Sequence, residues 1–219
     1  MITIENTGAN LVLENHPYFT FQSLTQLTQK PASYVKTYIH RLVSKGAVIN
    51  LKKGVYITKR FYETHVGDNY FLPALSHALN NNSYVSLNYV LQKNNMLTDV
   101  TYNITAVTAK TTLSYTNKLG TFDYMHVRPD LFRGFEFYDY FGIRFAMASV
   151  EKALFDYLYL RPLPPSLWSL KTNIAEELRL NLSNFSTEQI HEFSEYVQLS
   201  KSKKLSKALN NFKKHVWTN

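Results

Sequence analysis

Apolar residues in the first quarter of the chain repeat at helical spacing and then switch to strand spacing. Leu24 and Leu27 make a short stripe, and Ser23-Leu24-Thr25-Gln26 fits a capping box with Ser23 as N-cap and Gln26 reaching back to it. Pro31 suits the first turn of a second helix, where a missing N–H costs nothing. Val35, Ile39, Leu42 and Val43 then recur at i, i+4, i+7 and i+8, the buried stripe of that helix. Gly46 ends it at C′, with Lys45 placed against the negative end of the helix dipole. Residues 47–51 and 55–58 read as two short strands around a Lys52-Lys53-Gly54 hairpin turn, with Tyr56 expected to pack beneath it.

Further along, residues 72–79 read as a helix ended by Asn80-Asn81-Asn82, and Ser86 suits the cap of another, with Leu87, Val90 and Leu91 as its apolar positions. From Tyr102 the period moves towards two, which predicts strands at 103–108, 113–115 and 122–127, with Gly120, Gly134 and Gly142 near turns. Ser149 caps a strong helix whose stripe is Val150, Ala153, Leu154, Tyr157 and Leu158. The segment Arg161-Pro162-Leu163-Pro164-Pro165 stops it. Two or three helices follow, one over 186–199 and a lysine-rich last one with Leu205, Leu209, Phe212 and Val216 at i, i+4, i+7 and i+11. The pattern predicts an α+β protein. Residues 1–65 are expected to form a winged helix-turn-helix, and residues 66–219 a mixed α+β domain with a basic C-terminal helix.

Composition narrows this. The chain has 219 residues, 45% hydrophobic and 18% charged, which suits a folded core rather than disorder. Zero cysteines remove disulfides, thiolate zinc sites and a cysteine nucleophile together. Met1-Ile2-Thr3-Ile4-Glu5 lacks the basic flank and apolar run of a signal peptide. No apolar run approaches the roughly 20 residues of a membrane helix. A cytoplasmic protein with no membrane partner is expected.

Charge changes the picture most. The net +8 is concentrated at the two ends: residues 1–62 carry eight basic and two acidic side chains, and residues 196–219 carry six lysines and no acid. The middle, residues 63–195, has ten basic and fourteen acidic side chains. Between Asn15 and Tyr62 there is no Asp or Glu at all. A one-signed segment with a helix–turn–helix–hairpin pattern is what a phosphate backbone requires of its partner.

On the second helix the polar face carries Ser33, Lys36, Thr37, His40 and Arg41. The N-terminal part of a recognition helix lies nearest the base edges, so Ser33, Lys36 and Thr37 are the candidates for base contacts. Arg41 and Lys45 suit phosphates, Lys30 is a further candidate for DNA binding, and Lys52 and Lys53 would bring the wing to the backbone. The C-terminal face of Lys203, Lys204 and Lys207 is either a solvated helix surface or a surface for an anionic partner.

Other chemistry finds little support. Ser149-Val150-Glu151-Lys152 matches S-x-x-K but no K-T-G follows it. Lys152 and Asp156 read as a surface ion pair at i, i+4. The seven histidines have no metal-ligand spacing and the seven glycines form no phosphate loop, so no catalytic residue, metal or cofactor is expected. Tyr138 and Tyr140 around Asp139 suggest stacking on single-stranded nucleic acid, but burial in a core is the favoured reading.

The residues also resemble a known family. "SLTQLTQKPASYVKTYIHRLVSKGAVINLKKGVYIT" is similar to the winged-helix N-terminus of AbiEi-type antitoxins, from the abortive-infection AbiE toxin–antitoxin systems of bacteria. "SYVSLNYVLQKNNML", "GTFDYMHV", "LFRGFEF" and "ASVEKALFDYLYL" follow in that family's order, and the resemblance spans residues 17–160. It implies a repressor of its own operon whose second domain counters a nucleotidyltransferase toxin, in a type IV system where the two proteins need not form a stable complex. It places DNA contacts on residues 32–41 and on Lys52 and Lys53. Pro31 departs from the small polar cap such motifs often have, and the last sixty residues match only in helical character. The implied partners are double-stranded operator DNA and a cognate toxin. The alternatives are a stand-alone winged-helix regulator whose second domain binds a ligand or oligomerises, and a nucleic-acid-processing enzyme.

Overall fold

The computed structural model describes residues 13–98, 103–164, 167 and 172–218. The expectations for Met1 to Glu5, for the change of period at Tyr102 and for Pro165 lie outside them. Among the described residues the protein is mixed α+β with two sheets. By contacts the chain divides into two compact units. One is Met1–Asn81 with Ser114–Phe122 and Asp139–Phe145; the other is Asn82–Leu113, Asp123–Tyr138 and Ala146–Asn219.

In the first unit, β1 (Phe19–Thr20) leads directly into α1 (Phe21–Thr28), and α2 (Ala32–Ser44) follows. Next come β2 (Val48–Lys52), β3 (Val55–Thr58), α3 (Lys59–His65) and α4 (Phe71–Leu79). The strands form a sheet in the order β1-β3-β2, both pairs antiparallel. Leu24 of α1 and Val35, Ile39 and Leu42 of α2 close on Phe19 and Val48 as one apolar cluster. Tyr56 packs on it, its ring stacked 5.6 Å from that of Phe19.

Three local expectations shift. The cap of α1 is Thr20, not Ser23: Thr20 accepts from the Ser23 N–H, and the Ser23 hydroxyl accepts in return from the Thr20 N–H. The cause is tertiary, because Phe19 pairs with Tyr56 and Thr20 with Val55, and that pairing holds the chain extended up to Thr20. Pro31 stands one place earlier than expected, at the N-cap of α2, where its carbonyl accepts from Val35 N–H at 3.1 Å. Leu27 and Val43, each expected in a buried stripe, are both exposed. Gly46, at φ 69°, and Gly54, at φ 81° in the β2–β3 turn, take the left-handed conformations expected of them.

In the second unit, β4 (Ser83–Val85) is antiparallel to β5 (Ile104–Thr108), with Tyr84 opposite Val107. Two hairpins, β6 (Leu113–Asn117) with β7 (Gly120–His126) and β8 (Phe135–Tyr140) with β9 (Ile143–Ala148), supply the other strands, and their segments Ser114–Phe122 and Asp139–Phe145 are the ones that group with the first unit. The larger sheet runs β6-β7-β5-β4-β9-β8, and β4 lies parallel to β9 through Val85 and Met147. The helices are α5 (Leu87–Lys93), α6 (Val150–Leu160), α7 (Ile174–Glu177), α8 (Thr187–Ser200) and α9 (Lys203–His215). Ser149 caps α6 and the chain leaves the helix at Arg161, as the sequence predicts.

Helix α6 holds the main departure from expectation. Lys152 and Asp156 are not a surface pair: both side chains are 0% exposed, with the Lys152 Nζ 2.5 Å from the Asp156 carboxylate. All eight residues from Glu151 to Leu158 are buried. Helices α5, α8 and α9 pack against α6, so its polar positions are covered along with its apolar ones.

Candidate nucleic-acid interface

Helix α2 turns Val35, Ile39 and Leu42 inward, which fixes the face that is left for solvent. At about 100° per residue, Ser33, Thr37, His40 and Ser44 fall along the middle of that face. Lys36 lies on one margin, Arg41 and Lys45 on the other. All seven are exposed, and so is Lys30, just before the helix. Hydroxyls and an imidazole between two cationic margins suit a duplex groove, where base edges lie between two phosphate rows. Two hydroxyls are tied to their own helix: Thr37 donates to the Ser33 carbonyl at 3.1 Å and Ser44 to that of His40 at 2.9 Å. Their oxygens still accept.

The two lysines of the β2–β3 turn are not equivalent. Lys53 is exposed. Lys52 turns back, donating from Nζ to the Leu79 carbonyl at 2.6 Å and lying 5.5 Å from the centre of the Tyr115 ring. Burial pulls its pKa below the usual lysine range. The pairing register of β2 with β3 shifts between Asn50 and Lys52. Of the two, Lys53 is the ammonium presented outward.

Sequence reasoning missed two residues on this helix. Tyr34, in the first turn of α2, is 51% exposed. It stacks on Tyr38 with ring centres 6.3 Å apart and planes 4° from parallel, and Lys30 Nζ lies 6.0 Å from its centre. The i, i+4, i+8 spacing of Lys30, Tyr34 and Tyr38 carried the signal, had the aromatic residues been counted as surface.

In the second unit, Lys203 and Lys207 are exposed on α9, while Leu205, Leu209 and Phe212 face inward. Lys204 is half-buried and donates to the Arg161 carbonyl at 2.7 Å, and burial lowers its pKa. The exposed basic ridge is therefore narrower than the sequence suggested.

The α6 pair is a fully enclosed ionic group. Asp156 accepts from Lys152, from the Tyr84 hydroxyl at 3.0 Å and from the Ser86 hydroxyl at 2.8 Å. Ser86 stands at the N-cap of α5 but makes no capping bond there. The Lys152 ammonium lies 4.6 Å from the ring centre of Phe155, 5.4 Å from Tyr196 and 5.6 Å from Tyr84. Burial pushes the Asp156 carboxyl up and the Lys152 ammonium down. The partner's charge and the donated hydrogen bonds oppose both shifts. Neither side chain has any exposed surface, so in this conformation the pair meets no substrate.

Tyr140 is buried and donates to Asp68 at 2.7 Å, which accounts for it without nucleic acid. Among the described residues no helix is long and apolar enough to cross a membrane, and no group of three or more His, Asp or Glu side chains is placed to hold a metal ion. No protein-family model matches the chain, and no curated protein matches it.

Proposed function

We propose that residues 17–60 act as a winged helix-turn-helix that binds operator DNA, and that the protein is a transcriptional repressor. We propose further that it serves as the antitoxin of a type IV toxin–antitoxin system, countering a nucleotidyltransferase-type toxin in the cytoplasm. In this reading residues 1–65 serve DNA and residues 66–219 the toxin, with no catalytic step, metal or cofactor. The observation that carries the DNA part is the acid-free solvent face of α2, with Ser33, Thr37 and His40 between Lys36 and Arg41, all exposed. The antitoxin part rests on the resemblance of residues 83–160.

Binding to duplex DNA across a salt series tests the first part. Each phosphate neutralised releases condensed counterions, so the logarithm of affinity should fall with that of salt at a slope of about −0.9 per contact. Lys53→Ala should flatten the slope by about one, because its ammonium faces outward. Lys52→Ala should leave it nearly unchanged, because that ammonium is held on the Leu79 carbonyl. Lys36→Glu with Arg41→Glu should abolish binding. Salt-independent affinity, or full binding by the double reversal, would remove α2 from the interface.

For the second part, the neighbouring gene should encode a nucleotidyltransferase that arrests growth, and this protein should restore it. Lys203→Glu with Lys207→Glu should abolish that rescue and leave operator binding intact. A reversed protein that folds and still rescues makes α9 a solvated surface only, and a harmless neighbouring gene product ends the antitoxin reading.

One observation favours the reading of a regulator that senses a ligand. A half-open groove of about 740 Å³ lies among Phe185, Thr187, Ile190, Lys213 and Trp217 of the second unit. Its size suits a small molecule.

A further inference from the structure

Tyr34 is a large ring on a helix face that otherwise carries hydroxyls and cations. It is 51% exposed although the apolar cluster lies under the same helix. Ala32 opens α2, so Tyr34 stands in its first turn. Its ring is held before any ligand arrives: one face lies parallel to Tyr38, and Tyr38 is packed against the apolar cluster. Holding an aromatic ring in advance lowers the entropy lost on binding. Lys30 sits beside the ring and Arg41 two turns further on, about 10 Å along the axis. A cation thus lies on each side of the ring.

We infer that Tyr34 reads thymine, setting its ring against the C5-methyl group exposed in the major groove. The inference rests on the proposal that α2 enters that groove. The groove edge of a base pair offers donors, acceptors and one apolar group, the thymine methyl, so the carbon surface of the ring, as distinct from its hydroxyl, has that one apolar partner there. Its place in the first turn fits, because the N-terminal residues of a recognition helix come closest to base edges.

The test starts from a duplex of about 20 base pairs, selected on the wild-type protein from a pool with a randomised centre. Each dT is then replaced by dU, which removes the methyl and leaves every hydrogen-bonding group in place. At one or two positions the wild-type affinity should fall about fourfold, the value of burying one methyl at about 0.8 kcal/mol. Tyr34→Phe should show the same loss. Tyr34→Ala should bind the dT and dU duplexes equally, with an unchanged circular dichroism spectrum. If no dT to dU change weakens the wild type, or Tyr34→Ala suffers the same loss, the inference is wrong while the winged-helix reading stands. If the wild type enriches no duplex and shows no salt-dependent binding, both fall. Tighter binding to the single strand, lost in Tyr34→Ala, would assign the ring to stacking on unpaired bases and overturn the thymine reading.

Discussion

Lys152→Met should cost about 3–5 kcal/mol in urea unfolding, and Asp156→Asn a comparable amount, because each leaves a buried partner without its counter-charge. That is a large share of the roughly 5–15 kcal/mol that holds a typical protein folded. The pH dependence of the two variants should have opposite signs. In Lys152→Met the lone Asp156 has its folded pKa raised by burial above the unfolded value. A carboxyl shifted in that direction favours the folded state when protonated, so stability should recover as pH falls towards about 4. In Asp156→Asn the lone Lys152 has its folded pKa lowered by burial. Stability should then recover as pH rises towards about 10. Lys152→Met with Asp156→Asn should regain most of the loss and be flat with pH, since the asparagine oxygen still accepts from Tyr84 and Ser86. Losses under about 1 kcal/mol in both single variants would show the pair to be open to water.

Gly134→Ala should lose about 3 kcal/mol or more, from two causes that add. The residue sits at φ +76°, where a side chain is strained whatever the space around it. A Cβ would also collide with the Tyr196 hydroxyl oxygen and lie 2.9 Å from Lys152 Cγ. Tyr196 is one of the rings around the Lys152 ammonium, so displacing it also disturbs the buried pair. Tyr196→Phe removes the nearest atom, and combined with Gly134→Ala it should recover part of the loss. Urea midpoints of the four proteins in that cycle measure the coupling. An alanine variant as stable as wild type would mean that α8 moves away from Gly134 at little cost.

The N-terminal elements were legible because their information is local. The i, i+4, i+7 recurrence of Val35, Ile39 and Leu42 names a helix and its inner face without any partner in view, and the structure buries those three residues. Lys53-Gly54 needs only the glycine's backbone freedom to mark a turn. The outward face of α2 follows by subtraction, so the exposure of Ser33, Lys36, Thr37 and Arg41 was legible in the sequence. Tyr34 was missed on that same face because aromatic residues are ordinarily counted as core.

What sequence could not decide is what lies opposite each residue. The cap of α1 fell on Thr20 rather than Ser23 through the pairing of Phe19 with Tyr56, some forty positions away. Strands β4, β8 and β9 were not assigned, since the parallel neighbours Val85 and Met147 are joined by pairing and not by period. A single cut after residue 65 likewise has no means of showing that two later segments belong with the first unit. Lys52 and Lys53 are identical as letters, and only the carbonyl of Leu79 within reach of one of them makes them differ. For Lys152 and Asp156 the i, i+4 spacing gave the contact correctly, but spacing along one helix is blind to the helices packed around it. The sequence by itself determined elements, faces and the placement of charge, because these depend on neighbours within a few residues. The tertiary structure alone decided burial, and burial turned an ordinary surface ion pair into a closed polar centre whose energy depends on every hydrogen bond it makes.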